Sequence, residues 1–209
     1  MAASAPAAQA ACGGVQHFQP TKLRRPGAPP LAVGDSVMLG AAPQLRRRGF
    51  EIDVRGCRQM SEGLAVLAAR RRAGSLPATV VIGLGTNWTV TTDQIRTALR
   101  ILGRRRVLGL VTPPEVGGVS SSDQRVIRAA GRRWPARVKV LDWVARSAGK
   151  GWTWDGMHLK PSGAVAYAKL LSRAFEWRRP AREPEGGDRN GGTPTPAAAA
   201  AAPRPGRPR

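Results

Sequence analysis

The stretch Leu31-Ala32-Val33-Gly34-Asp35-Ser36, followed by Val37-Met38-Leu39-Gly40-Ala41-Ala42-Pro43-Gln44-Leu45, decides the fold. Three successive apolar residues ended by a glycine read as a short strand, and Met38, Ala41, Ala42 and Leu45 then fall at helical spacing up to Arg48. Strand therefore gives way directly to helix, and the alternation repeats along the chain. Residues 50–54, 79–82, 107–111 and 138–141 read as further strands, and Thr79-Val80-Val81-Ile82, β-branched almost throughout, reads as a buried one. Residues 61–72, 92–102, 122–133 and 162–175 read as helices. Ile95, Ala98, Leu99 and Leu102 share one stripe, and Thr92 is placed to cap their helix. Such βα units build an open, mostly parallel sheet covered on both faces, because right-handed crossovers lay each helix on a sheet face. The expected fold is a three-layer αβα sandwich, flavodoxin-like, with five strands.

Composition bounds the rest. The chain has 209 residues and a formal net charge of +21, from 34 Lys+Arg against 13 Asp+Glu. No apolar run approaches the ~20 residues that a membrane-spanning helix needs, and the two cysteines, Cys12 and Cys57, allow at most one bridge. Residues 1–30 read as a disordered lead-in holding His17, residues 31–177 as the folded domain, and residues 178–209 as a disordered tail rich in Pro, Ala and Arg. The Ala-rich start has no basic head and no unbroken apolar core. It therefore offers no recognisable secretory signal, which points to the cytoplasm while leaving a secreted or cell-surface location open.

In sheets of this kind the chemistry gathers at the carboxyl ends of the strands. Ser36 stands at the turn after the first strand, beside the unbonded N–H groups of a helix start, where developing negative charge is favoured. Asn87, in Gly85-Thr86-Asn87 after the third strand, can aim an amide N–H at the same crevice. Asp155 and His158 lie three apart before the last helix, close enough for a carboxylate to fix an imidazole tautomer. Taken singly, these residues are explained by capping, turn formation or surface position. Together they converge on one sheet edge in the chain order Ser, Asp, His used by other α/β hydrolases.

Gly34-Asp35-Ser36, Gly85-Thr86-Asn87 and Asp155-Gly156-Met157-His158 resemble the first, third and fifth sequence blocks of the SGNH hydrolases, or GDSL-type esterases. Residues 52–59 resemble the stretch around the second block in SGNH domains attached to membrane O-acyltransferases of actinobacteria. The resemblance implies a serine-dependent ester hydrolase acting on acyl or acetyl esters, with Ser36 as nucleophile, His158 as base then acid, and Asp155 orienting His158. It implies an oxyanion hole formed by the Ser36 N–H, the Asn87 amide and the N–H of either Gly56 or Cys57. No metal and no cofactor are implied. The alternative with the same residues is O-acyl transfer to a polysaccharide, the substrate being a small-molecule or polysaccharide ester.

A rival of another class is a basic polyanion binder without catalysis, since +21 gives salt-sensitive, non-specific binding to anionic surfaces. No motif for specific nucleic-acid recognition accompanies the charge. Arg46-Arg47-Arg48, Arg70-Arg71-Arg72 and Arg104-Arg105-Arg106 sit at helix ends or turns, where cations offset the helix dipole. Trp88, Trp143, Trp152 and Trp154 lie near strand ends and suit either packing or the wall of an acyl or sugar pocket. Cys57, with no histidine near it in sequence, reads as a buried inert thiol.

Overall fold

The computed structural model describes residues 12–114 and 122–177. The expected tail and the first eleven residues lie outside them. The expected alternation is present: β2 (Leu31–Gly34), β3 (Glu51–Val54), β4 (Thr79–Gly83), β5 (Val107–Val111) and β6 (Val138–Leu141) form a parallel sheet, interleaved with helices. The helices are α1 (Ser36–Gly40), α2 (Ala42–Arg47), α3 (Met60–Arg72), α4 (Thr92–Leu102), α5 (Ser122–Arg133), α6 (Trp143–Ser147) and α7 (Pro161–Leu171), the last running into a 3₁₀ turn, Ser172–Glu176.

The strand count differs from expectation. The sheet has six strands in the order β1-β3-β2-β4-β5-β6, because β1 (Gln16–Phe18) pairs antiparallel with β3 along the edge. β1 comes from the segment expected to be a disordered lead-in. With three residues it carries too little periodicity to be recognised as a strand, and tertiary contacts fix it. The Cys12–Cys57 disulfide ties the start of this strap to the turn after β3. His17 Nδ1 lies 3.1 Å from Asp53 Oδ2, and the other carboxylate oxygen, Oδ1, pairs with the buried Arg58 at 2.7 Å. Cys57 is therefore an exposed half-cystine and not a buried thiol.

Alternation along each strand divides the core. Ala32, Ile52, Val54, Val81, Val111 and Leu141 pack on one face under α1, α2 and α7, while Leu31, Val33, Val80, Ile82, Leu108 and Leu110 pack on the other under α3, α4 and α5. Each fully buried Leu, Ile or Val is worth about 1.5–3 kcal/mol, so both faces contribute to stability. The single helix expected over residues 37–48 is broken at Ala41, because Pro43 enters the first turn of α2 and has no N–H to continue α1. Thr91, not Thr92, caps α4, in a capping box with Gln94. Helix α6 was missed because five residues are too few to show a helical period.

Candidate active site

β2 delivers Ser36 to the carboxyl edge of the sheet. Gly34 is required there: a Cβ would overlap the Met38 side chain, so glycine lets α1 fold back against the strand end. Asp35 is 1% exposed, and its Oδ1 caps α1 by accepting the Val37 N–H at 3.0 Å. Ser36 thereby becomes the first residue of the helix, its hydroxyl beside the helix amino terminus.

β4, the neighbour of β2, delivers Asn87. Gly85 in the connecting turn has φ of 124°, a conformation only glycine adopts without strain, and a Cβ would come 2.8 Å from Pro113. Asn87 Nδ2 donates to the second Asp35 oxygen, Oδ2, at 3.3 Å. One carboxylate thus caps the helix that carries Ser36 and holds the amide of Asn87. Burial is the main reason that Asp35 titrates at about 6 instead of 3.8, with the hydrogen bonds from Val37 and Thr86 opposing it.

The loop between α6 and α7 delivers the other pair. Its ends are clamped by a bridge between Thr153 and Leu159 and by the Lys160 N–H donating to Trp152 O at 2.8 Å. Inside the loop, Asp155 Oδ1 accepts the N–H groups of Met157 at 2.9 Å and His158 at 2.7 Å, while Oδ2 lies 2.6 Å from His158 Nδ1. These bonds, the imidazole first, hold the Asp155 carboxyl well below the usual carboxylate range. His158 Nε2 lies 3.3 Å from Ser36 Oγ. The pair is open to solvent, with side chains 53% and 49% exposed.

The structure brings Ser36, His158 and Asp155 into one hydrogen-bonded row, with Asn87 attached through Asp35. Gly56 and Cys57 lie in the turn after β3, the other neighbour of β2. Gly56 is closed against the Cys12 carbonyl, where a Cβ would come within 2.5 Å, and Cys57 has φ of 55°. The buried Arg58 braces this turn, donating to Asp53 O at 2.6 Å and to Gly34 O at 3.5 Å. Sequence reading missed the Asp35–Asn87 contact and the Asp53–Arg58 brace. No spacing rule announces them: the first joins the ends of separate strands, and the second is a buried pair between β3 and the turn after it.

The tryptophans divide. Trp143 is buried, stacked on Trp152 at 5.9 Å and edge-on to Tyr167 at 5.1 Å, and so belongs to the core. Trp88 and Trp154, adjacent in sequence to Asn87 and Asp155, are 67% and 71% exposed. Among the described residues no group of three or more His, Cys, Asp or Glu could hold a metal ion.

No protein-family model matches the chain. Among curated proteins it is 31% identical over 146 residues to the peptidoglycan O-acetyltransferase OatA of Listeria monocytogenes, covering 68% of this chain and 23% of that protein. It is 29% identical over 150 residues to the putative peptidoglycan O-acetyltransferase YrhL of Bacillus subtilis, covering 70% and 23%. The chain thus spans about a quarter of the length of these relatives. Among solved structures, the C-terminal catalytic domain of Streptococcus pneumoniae OatA, determined with a methylsulfonyl adduct, superposes with a TM-score of 0.60 at 23% identity, covering 72% of this chain and 93% of that one. A family 3 carbohydrate esterase from Clostridium thermocellum superposes with a TM-score of 0.53 at 13% identity, covering 72% and 96%. The three sequence blocks, the parallel sheet and these likenesses fit the SGNH/GDSL-type resemblance: the chain is related in sequence to part of the peptidoglycan O-acetyltransferases and shares the fold of these two solved domains.

Proposed function

We propose that the protein transfers an acyl group, of which acetyl is the simplest case, to a hydroxyl of a polysaccharide through an ester on Ser36. The observation that supports this most is the row Ser36 Oγ, His158 Nε2, His158 Nδ1, Asp155 Oδ2, with gaps of 3.3 and 2.6 Å. Ser36 Oγ attacks the donor carbonyl as its proton passes to His158 Nε2. The tetrahedral oxyanion is met by the Ser36 N–H, the Asn87 amide and the N–H of Gly56 or Cys57, donors that act chiefly in the transition state. His158 returns the proton to the departing group, leaving acyl-Ser36. An acceptor hydroxyl then attacks, its proton goes to His158, and His158 passes it to Ser36 Oγ as the acyl–Ser36 bond breaks and the new ester leaves. With water in place of the sugar hydroxyl the same steps are hydrolysis.

The relatives' names favour transfer over hydrolysis, and the exposure of Asp155 and His158 fits an extended chain lying across an open surface. Trp88 and Trp154 supply aromatic faces on which pyranose rings stack. The Cys12–Cys57 disulfide fits work in an oxidising compartment, outside the cytoplasm.

The test is partition of an acyl-enzyme. With 4-nitrophenyl acetate as donor, mass spectrometry should find one acetyl group on Ser36, and an added chitooligosaccharide should leave with acetyl attached. Acetate as the sole product at saturating acceptor would make the protein a hydrolase. Acetyl on another residue would move the nucleophile.

A further inference from the structure

A groove of about 680 Å³ lies along the solvent side of α4, away from the Ser36 edge. Arg96, Arg100 and Arg104 follow one another at four-residue spacing along that helix and just past it. Arg133, Trp134 and Arg137 face them from the end of α5 and the approach to β6. The groove runs the length of α4 from Asp93, and its Arg104 and Arg137 end, just before β5 and β6, lies at the amino ends of the strands, whereas Ser36 and Asn87 follow carboxyl ends.

The lining is one-sided in charge. Five arginines meet a single acid, Asp93, which is engaged by Arg96 at 2.7 Å. Arg137 is fixed by donating to the carbonyls of Leu99 and Gly103 at 3.1 and 2.5 Å, and its Nε is buried with no hydrogen-bond partner. Partial burial first, and the charge of Arg104 second, make its protonated form less favourable than usual. The Arg133 guanidinium lies over the Trp134 ring at 5.4 Å. Crowding like charges around a concave surface lowers stability unless an anion enters, and planar guanidinium forks match carboxylate and phosphate oxygens.

We propose that this groove is a second, non-catalytic binding site for a polyanionic glycan, a sugar chain bearing carboxylate or phosphate groups. The arginines would meet the charges and Trp134 one sugar face. A single half-buried aromatic suits a glycan better than a nucleic acid strand, whose unstacked bases need a succession of aromatic platforms. The choice of a glycan also rests on the polysaccharide reading of the active site. A far-side anchor would hold a polymer against the protein between turnovers, raising its local concentration at Ser36.

The experiment is calorimetric titration of the Ser36→Ala protein with oligogalacturonate, a carboxylated sugar chain, at low salt. Reversing Arg100, Arg104 and Arg133 to Glu should weaken binding by at least about tenfold and flatten its salt dependence. The equally charged reversal of Lys22, Arg47 and Arg72 should change it by no more than about threefold. The milder pair Arg100→Gln and Arg133→Gln, which alters less charge, should weaken binding in between if the triple variant fails to fold. Equal loss in both reversals would reduce the effect to net charge and overturn the site. Tighter binding of an oligothymidylate of equal charge, or undiminished binding of neutral chitooligosaccharide, would overturn the ligand class. Because Ser36→Ala is used, the readout is independent of catalysis. In the background that keeps Ser36 the groove variants should turn over 4-nitrophenyl acetate normally, whereas no turnover by the wild-type protein alongside intact groove binding would count against the catalytic reading alone.

Discussion

Asp35 and Asp155 both reach Ser36, the first through the cap of its helix and the second through His158, and they behave oppositely. Asp35 is buried at the end of β2, and its carboxyl is raised to about 6 by loss of water. Asp155 is half exposed in a loop, and its carboxyl is lowered by the His158 imidazole and two backbone N–H groups. The difference shows how the site is assembled. The side that would hold the nucleophile and the Asn87 amide is anchored in the core, while the side that would move protons is carried on a solvent-facing loop organised by local hydrogen bonds.

The sharpest way to break this comparison is Ser36→Ala, which should reduce ester turnover to background and abolish labelling by a fluorophosphonate. It should cost no more than about 1–2 kcal/mol of stability at the helix start. Turnover within a few-fold of wild type would remove the buried side from the chemistry. On the exposed side, Asp155→Asn should cut kcat by roughly 10³–10⁴ at neutral pH. Asn Oδ1 can still accept the Met157 and His158 N–H groups, but its amide faces Nδ1 with donors and selects the wrong tautomer. A change smaller than tenfold would show that the loop backbone suffices to hold His158.

Asn87→Ala should cost roughly 10²–10³ in kcat with KM little changed. A pure KM effect would make Asn87 a binding residue. Asp35→Asn sharpens the comparison through pH. Since the folded-state carboxyl at about 6 lies above its ordinary 3.8, the native protein holds a proton that the unfolded chain releases between those values. The contribution of Asp35 is full below 3.8 and is lost as pH rises through 6, a decline of about 3 kcal/mol over that span. Denaturant unfolding of Asp35→Asn should lack this decline, and an unaltered decline would assign it to other groups. Asp155 runs the other way, stabilising above its ordinary range and losing that contribution in acid. The smallest effect expected is from Trp154→Ala, a several-fold rise in KM for a polysaccharide acceptor with 4-nitrophenyl acetate kinetics unchanged. Equal effects on both substrates would make Trp154 part of the loop's packing instead.

The sheet was legible because its strands are short β-branched or apolar runs separated by helical periods, as at Thr79–Gly83 and Thr92–Leu102. The candidate residues were legible because each stands just past a strand or before a helix. What joins them was not. The Asp35–Asn87 contact depends on β2 and β4 being neighbours, and the His17–Asp53 contact depends on β1 returning to the edge of β3. Neighbour relations between strands are fixed by topology, and a one-dimensional pattern does not contain them. The Cys12–Cys57 bond was hidden for a simpler reason: Cys12 precedes a strand too short to announce itself.

The short strap at the amino-terminal side also covers one edge of the sheet. A parallel sheet ends in two rows of unpaired N–H and C=O groups, each a template for a foreign strand. At one margin β1 occupies that row along β3, held by the disulfide and by His17 beside Asp53. At the other, β6 is only four residues long and carries Lys139, whose ammonium is turned back to the Pro135 carbonyl at 2.6 Å. One margin is covered and the other is short and charged, so removal of the strap should leave β3 as the edge on which aggregation begins.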